Sequence, residues 1–157
     1  MANEEFEIMS EAEALNEEEA EATKKYLAFG SDGIEYAIDA DYVNEIIMNN
    51  SITRLPKVPP YIRGVINLRG QIFPIMDIRL RMGRTKTEFT DDTCIIVTEI
   101  NEIPLGILVD NVTQMIDLGE SQISAPPLSK HQDLVTGIAR LQERVLLLIN
   151  APELLLK

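Results

Sequence analysis

The strongest constraint on this chain is an internal repeat in which order, spacing and chemistry recur together. Moved by 73 positions, "GVINLRGQIFPIMDI" (64–78) falls on "GIARLQERVLLLINA" (137–151). Gly64 meets Gly137, and Ile66, Leu68, Ile72, Ile75 and Met76 meet Ala139, Leu141, Val145, Leu148 and Ile149. Moved by 69, "IEYAIDADYVNEII" (34–47) falls on "IPLGILVDNVTQMI" (103–116), with Ile38 on Ile107, Val43 on Val112 and Ile47 on Ile116. The proline connectors at Pro56 and Pro126-Pro127 hold equivalent places. The chain reads as two copies of one small unit, roughly 24–86 and 87–157. A unit of about 65 residues is marginal by itself. The two are therefore expected to pack on each other, and the groove between them is the natural binding site.

Each unit has the pattern of short strands. "IEYAI" (34–38) puts Ile34, Tyr36 and Ile38 on one face. "GSDG" and the "NE" at 101–102 read as turns. "IRGVINL" (62–68) and "QIFPIMDI" (71–78) flank Arg69-Gly70, a tight hairpin in which Gly70 supplies the positive φ. Pro74 inside the second run predicts an edge strand or a bulge. "GIARL" and "RVLLLI" form a second hairpin. "NAPELLLK" predicts a short C-terminal helix with Asn150 as N-cap and Pro152 in its first turn. Many short strands with Gly/Pro turns give an all-β sandwich or a pair of small barrels.

Charge separates a tail from a body. Of the net −12, residues 1–22 contribute nine Glu and no Lys or Arg. Residues 23–157 carry 14 basic and 17 acidic side chains, a balance of −3. The tail is expected to be a flexible, solvated segment. No basic stripe supports nucleic-acid binding. The longest apolar run, Val145–Ile149, is far below the roughly 20 residues of a membrane span. No signal-peptide pattern opens the sequence. The single cysteine, Cys94, excludes an intramolecular disulfide and fits a cytoplasmic setting.

The residues offer little to an enzyme. Cys94 lies in "DTCIIV", a strand interior where a small buried thiol is the ordinary outcome, and His131 lies in a polar loop. One His and one Cys make no metal cluster, and no phosphate-loop or dinucleotide motif occurs, so no cofactor is expected. Asp77 and Asp110 each follow an apolar strand, where capping or closing a turn is the ordinary role. A small enzyme would need a convergent polar pocket, which the body does not supply.

Arg69 stands out against this background. Its repeat-mate is Gln142, so the hairpin does not require a charge there. Strand alternation puts Arg63, Val65, Asn67 and Arg69 on an outward face, and Gly64, Ile66 and Leu68 on the inward one. On "YVNEII", Val43 and Glu45 share one side, a mixed contact face.

The stretch "GVINLRGQIFPIMDIRLRMG", preceded by "YAIDADYVNEII" and "ITRLPKVPPYIRG" and followed by "PLGILVDNVTQMIDL", resembles the CheW family of bacterial chemotaxis adaptors. The resemblance covers about 24–157 and leaves the acidic tail outside. It implies two tandem five-stranded SH3-like barrels on a shared core. It also implies a non-catalytic role, coupling chemoreceptors to the histidine kinase CheA in the cytoplasm at membrane-associated arrays. The receptor's helical tip is expected between the barrels. The kinase regulatory domain and other CheW-like domains are expected at barrel ends, in rings. A coupling role in a related CheA-like pathway, such as surface motility, is the alternative. Carried over by position, the receptor face includes Val43, Glu45, Gly64, Arg69 and Met115. Thr93, Cys94, Ile95 and Pro126 are the implied kinase contacts.

Overall fold

The computed structural model describes residues 22–48, 51–85, 89–126 and 132–155. The acidic tail up to Glu21, and His131, lie outside the described residues. Eleven strands are described: β1 (Thr23–Ser31), β2 (Ile34–Asp39), β3 (Val43–Met48), β4 (Ile62–Leu68), β5 (Gln71–Asp77), β6 (Cys94–Ile100), β7 (Ile103–Val109), β8 (Asn111–Gly119), β9 (Ile123–Ser124), β10 (Val135–Leu141) and β11 (Arg144–Ile149). Two one-turn helices, α1 (Ile78–Arg81) and α2 (Ala151–Leu154), follow β5 and β11. The strands form two sheets, ordered β8-β1-β2-β11-β10-β9 and β3-β6-β7-β5-β4, which curl into two SH3-like barrels.

Neither barrel is a sequence repeat. The repeat pairs β1 with β6, β2 with β7, β3 with β8, β4 with β10 and β5 with β11. Under that exchange β8-β1-β2-β11-β10 becomes β3-β6-β7-β5-β4, and β9 alone has no counterpart strand, its place being taken by the single Thr53–Val65 bridge. The match extends to register: Leu148 lies opposite Ala37, and Ile75 opposite Gly106, each in the one parallel pairing of its sheet. Each barrel takes two strands from one repeat and three long strands from the other. The chain crosses between sheets at the 3-10 turn Ala40–Tyr42 and again at Asp110, whose N–H donates to the Gly30 carbonyl at 3.0 Å. The stretch 103–118 is accordingly two strands in two different barrels.

This exchange explains the unbroken apolar run in "CIIV". On β6, Cys94 and Ile96 join the core shared by both barrels, while Ile95 and Val97 fill the second barrel alone. On β1, Leu27 and Phe29 face the shared core and Ala28 the first barrel. Strands buried on both faces lose the polar alternation of a one-sided sheet. Among the described residues the shared core holds nineteen buried side chains, against seven and six within the barrels. Most of the apolar burial therefore depends on both halves of the chain being present.

Two local expectations need correction. β5 is a central strand, between β4 and β7. Val65, opposite Pro74, spends its N–H and C=O on Thr53 at 2.8 Å each, so Pro74 faces no bond that its missing N–H would have to make to β4. Arg69 itself adopts φ +54, with Gly70 at +83, so both residues of the turn are left-handed, as a type I′ hairpin requires. Gln142 shares the positive φ, at +59. Asn150 is the N-cap residue of α2 and Pro152 lies in its first turn, as expected, though the Asn150 side chain makes no capping bond. Helix α1 and the short β9 had no clear sequence signal.

Candidate functional surface

Arg69 projects from the β4–β5 turn with 72% of its side chain exposed and reaches Glu45 on β3. The contact is two-pronged: Nη1 donates to Oε2 at 2.5 Å and Nη2 to Oε1 at 3.0 Å. The guanidinium holds the Glu45 carboxyl below its usual range, and the carboxylate raises Arg69 further. β3 and β4 are the two ends of their sheet, so the pair ties together the strands that barrel closure brings near each other. The Asn67 side-chain oxygen accepts the Gly70 N–H at 3.0 Å and steadies the turn. The charge is thus both paired and presented to solvent.

Val43 is half-buried beside Glu45 on β3. Met115 belongs to the other sheet, opposite Leu27 on β1, with 54% exposure. Gly64 is buried, so it is not itself a contact surface. Its φ is +144, and a Cβ there would stand 2.2 Å from the Thr53 carbonyl oxygen. Glycine is needed for the Thr53 strand to lie across β4. Its repeat-mate Gly137 admits β9 in the same way, with Ser124 O 2.8 Å from an added Cβ.

The outward face is polar but uneven. Arg63 keeps only 15% of its side chain exposed, donates to Asp77 Oδ2 at 3.0 Å, and lies 4.8 Å over the Phe89 ring. Asp77 is fully buried and caps α1 by accepting the Arg79 N–H at 3.1 Å. Buried Arg79 reaches Asp77 Oδ1 at 3.4 Å and Asp110 Oδ1 at 3.2 Å. Asp110 Oδ2 accepts the Asp32 N–H at 2.7 Å, from the β1–β2 turn of the other barrel. This ionic junction was not foreseen beyond the capping roles of Asp77 and Asp110. The "DIR" spacing was its sole sequence signal.

Thr93, Cys94 and Ile95 are buried, which removes them as kinase contacts: their side chains have no surface to offer. Burial also pushes the Cys94 thiol up, away from a reactive thiolate. Pro126 is half-buried after β9. Among the described residues no group of His, Cys, Asp and Glu could hold a metal, and no helix is long and apolar enough to cross a membrane.

The fold and surface define a two-barrel β-domain with an exposed, ion-paired face. The family model for the CheW-like domain matches residues 25–157, and the chain belongs to that family. It is 36% identical over 136 residues to the chemotaxis protein CheW of Bacillus subtilis, covering 85% of this chain and 87% of that one. It is 32% identical over 155 residues to the chemotaxis protein CheW of Helicobacter pylori, covering 97% and 94%. The crystal structure of scaffolding protein TtCheW from Thermoanaerobacter tengcongensis superposes with a TM-score of 0.77 at 34% identity, over 82% of this chain and 90% of that one.

Proposed function

We propose that this chain is a non-catalytic adaptor that couples chemoreceptors to the histidine kinase CheA in chemotaxis signalling. Family membership supports a scaffolding role. The observation that carries the receptor side is the exposed Arg69–Glu45 pair, at positions where the family resemblance puts receptor contact. A charge pair on an exposed face selects its partner by electrostatic complementarity. Val43 and Met115 supply apolar contact near or opposite it, and buried Gly64 acts through the backbone it admits. The kinase regulatory domain and other CheW-like domains dock at barrel ends, where Pro126 is the one surviving expected contact. The adaptor then works at the membrane through its receptors.

Titration of a receptor cytoplasmic fragment and of the kinase regulatory domain, each against the full chain, tests this reading. Saturable binding of both is expected, and failure of either removes the coupling role. A related CheA-like pathway is the second reading, favoured by 22% identity over 110 residues to Protein FrzA of Myxococcus xanthus. The kinase recovered from cells with the chain distinguishes the two.

A further inference from the structure

The mouths of the two barrels differ in what fills them. In the second barrel, Phe89 lies five residues before β6 begins at Cys94 and packs against that barrel's interior. It sits beside Ile52 and under the Arg63 guanidinium, at a cleft of about 200 Å³. The same place can be found in the first barrel through the repeat. Thr136 is the repeat-mate of Arg63. Ile123 is the counterpart of Ile52, since an added Cβ on Gly137 would meet Ile123 as one on Gly64 would meet Ile52. Ile123 and Thr136 line a cavity of about 560 Å³, together with Tyr26 and the interior residues Leu118 and Leu148. The interior behind it has smaller side chains as well: Ala28, Ala139 and Leu146 stand for Val97, Ile66 and Phe73. The repeat-mate of Phe89 is Ala20, ahead of β1 and outside the described residues.

We propose that Leu15, from the acidic segment ahead of β1, fills this cavity and closes the first barrel as Phe89 closes the second. Ala20, at the position of Phe89, is too small for the place, and Leu15 is the large apolar side chain nearest to β1 on that segment. The segment enters β1 through Ala22 and Thr23, which themselves line the cavity. Leu15 is seven positions from Ala22, a reach of up to roughly 23 Å, so it has only to fold back. The attraction is apolar, removing Leu15, Leu118, Leu148 and Ile123 from water together. Lys24, the one cation among the described lining residues, is paired with Asp39 at 2.6 Å, and Glu120 is exposed at the rim. The glutamates of the segment therefore gain nothing there and stay in water. In this respect a wholly solvated tail gives way to one anchored at a single side chain. The inference rests on the internal comparison, not on the coupling role proposed above.

The test is heteronuclear NMR of the full chain with labelled methyl groups. Nuclear Overhauser contacts from the Leu15 methyls to Ile123 and Leu148 are expected. Leu15→Ser should abolish them and move the signals of Ile123, Thr136 and Leu148 to the values seen in a chain lacking residues 1–18. Asn16→Ser, one position away, should leave those signals in place. Both variants alter only the segment ahead of β1, so a cooperative melt is expected of each. Leu15 methyls at random-coil shifts without contacts would overturn the proposal. So would contacts from Phe6 or Ile8 in place of Leu15, or signals that move as far in Asn16→Ser as in Leu15→Ser.

Discussion

Glu45 and Arg69 are held in a two-pronged ion pair between the ends of one sheet, with the arginine in a left-handed backbone conformation at a turn. That conformation disfavours a side chain by roughly 1–2 kcal/mol. The repeat-mates of the pair are Gln114 and Gln142, so the fold accommodates neutral residues at both places. The pair is therefore better explained by what it presents than by what it stabilises.

Arg69→Glu should leave the melting temperature nearly unchanged, because exposed substitutions usually shift stability by within about 0.5 kcal/mol. The same change should weaken binding to a receptor cytoplasmic fragment at least about tenfold, roughly 1.4 kcal/mol. Arg69→Ala should do less, since it removes attraction without adding repulsion. Kinase binding should survive better than receptor binding. Circular dichroism melts beside titrations against both fragments decide; unfolding would make the arginine structural, and unchanged affinities would make it a solvated charge.

The Glu45 carboxyl should titrate below the usual 4.5, because the Arg69 hydrogen bonds favour its charged form. A depressed carboxylate contributes stability that is present above the unfolded pKa and lost as pH falls through the folded one. The pair should thus be intact at neutral pH and open only on acidification below about 4.5. Glu35, held down by the hydrogen bonds of Arg144, should behave likewise. Carbon-detected NMR of the Glu45 carboxyl gives the midpoint, and Arg69→Ala should return it to the ordinary value. A midpoint unmoved by Arg69→Ala would mean that the pair does not persist in solution.

Gly64→Ala should destabilise more than Gly137→Ala. The first places a Cβ 2.2 Å from a backbone oxygen at φ +144, and the second places one at 2.8 Å without the left-handed penalty. A clash with backbone together with strain costs about 2 kcal/mol or more. Gly70→Ala meets nothing within 4 Å and should cost only about 1 kcal/mol for its φ of +83. Urea midpoints of the three variants give the order, and a reversed order would show that β4 can move away from Thr53.

Much of this was legible because hydrophobic period and turn chemistry are local. The repeat, the Arg69-Gly70 hairpin and the capping role of Asp77 were all readable from neighbouring residues. The exchange of strands between repeats was not, because the repeat shows which segments are alike and not which ones pair. The resemblance, not the residues, put Thr93, Cys94 and Ile95 at a kinase contact: "DTCIIV" itself reads as a strand interior, and all three side chains are buried. Arg63 was read as outward because its acceptor, Asp77, lies 14 residues away and is fully buried.

Asp77→Ala should be far more damaging than Asn150→Ala, although the two are repeat-mates. Removing Asp77 leaves Arg63 and Arg79 without their shared carboxylate in a buried place, which costs about 3–5 kcal/mol. Asn150 makes no capping bond, so its truncation should cost about 1 kcal/mol or less. Equal losses in thermal melts would contradict this asymmetry between the two positions.

Residues 87–157 expressed alone should not fold. That fragment contains β6 to β11 but lacks the partners that the topology assigns to them. β8 needs β1, β11 needs β2, and β6 and β7 need β3 and β5. The shared core would lose Leu27, Phe29, Tyr36, Ile38, Ile62 and Met76, among others. A buried apolar side chain is worth about 1.5–3 kcal/mol, so these six alone amount to about 9–18 kcal/mol, as much as the roughly 5–15 kcal/mol that holds a whole domain together. The complementary half, 1–86, fails for the same reason, with β1 and β2 lacking β8 and β11. Mixed in equal amounts, the halves can supply every missing pairing, and a cooperative melt should return. Calorimetry on each fragment and on the mixture separates the outcomes. A sharp transition from 87–157 alone would mean that the second repeat closes a barrel by itself, and that the strand exchange is not what holds the fold together.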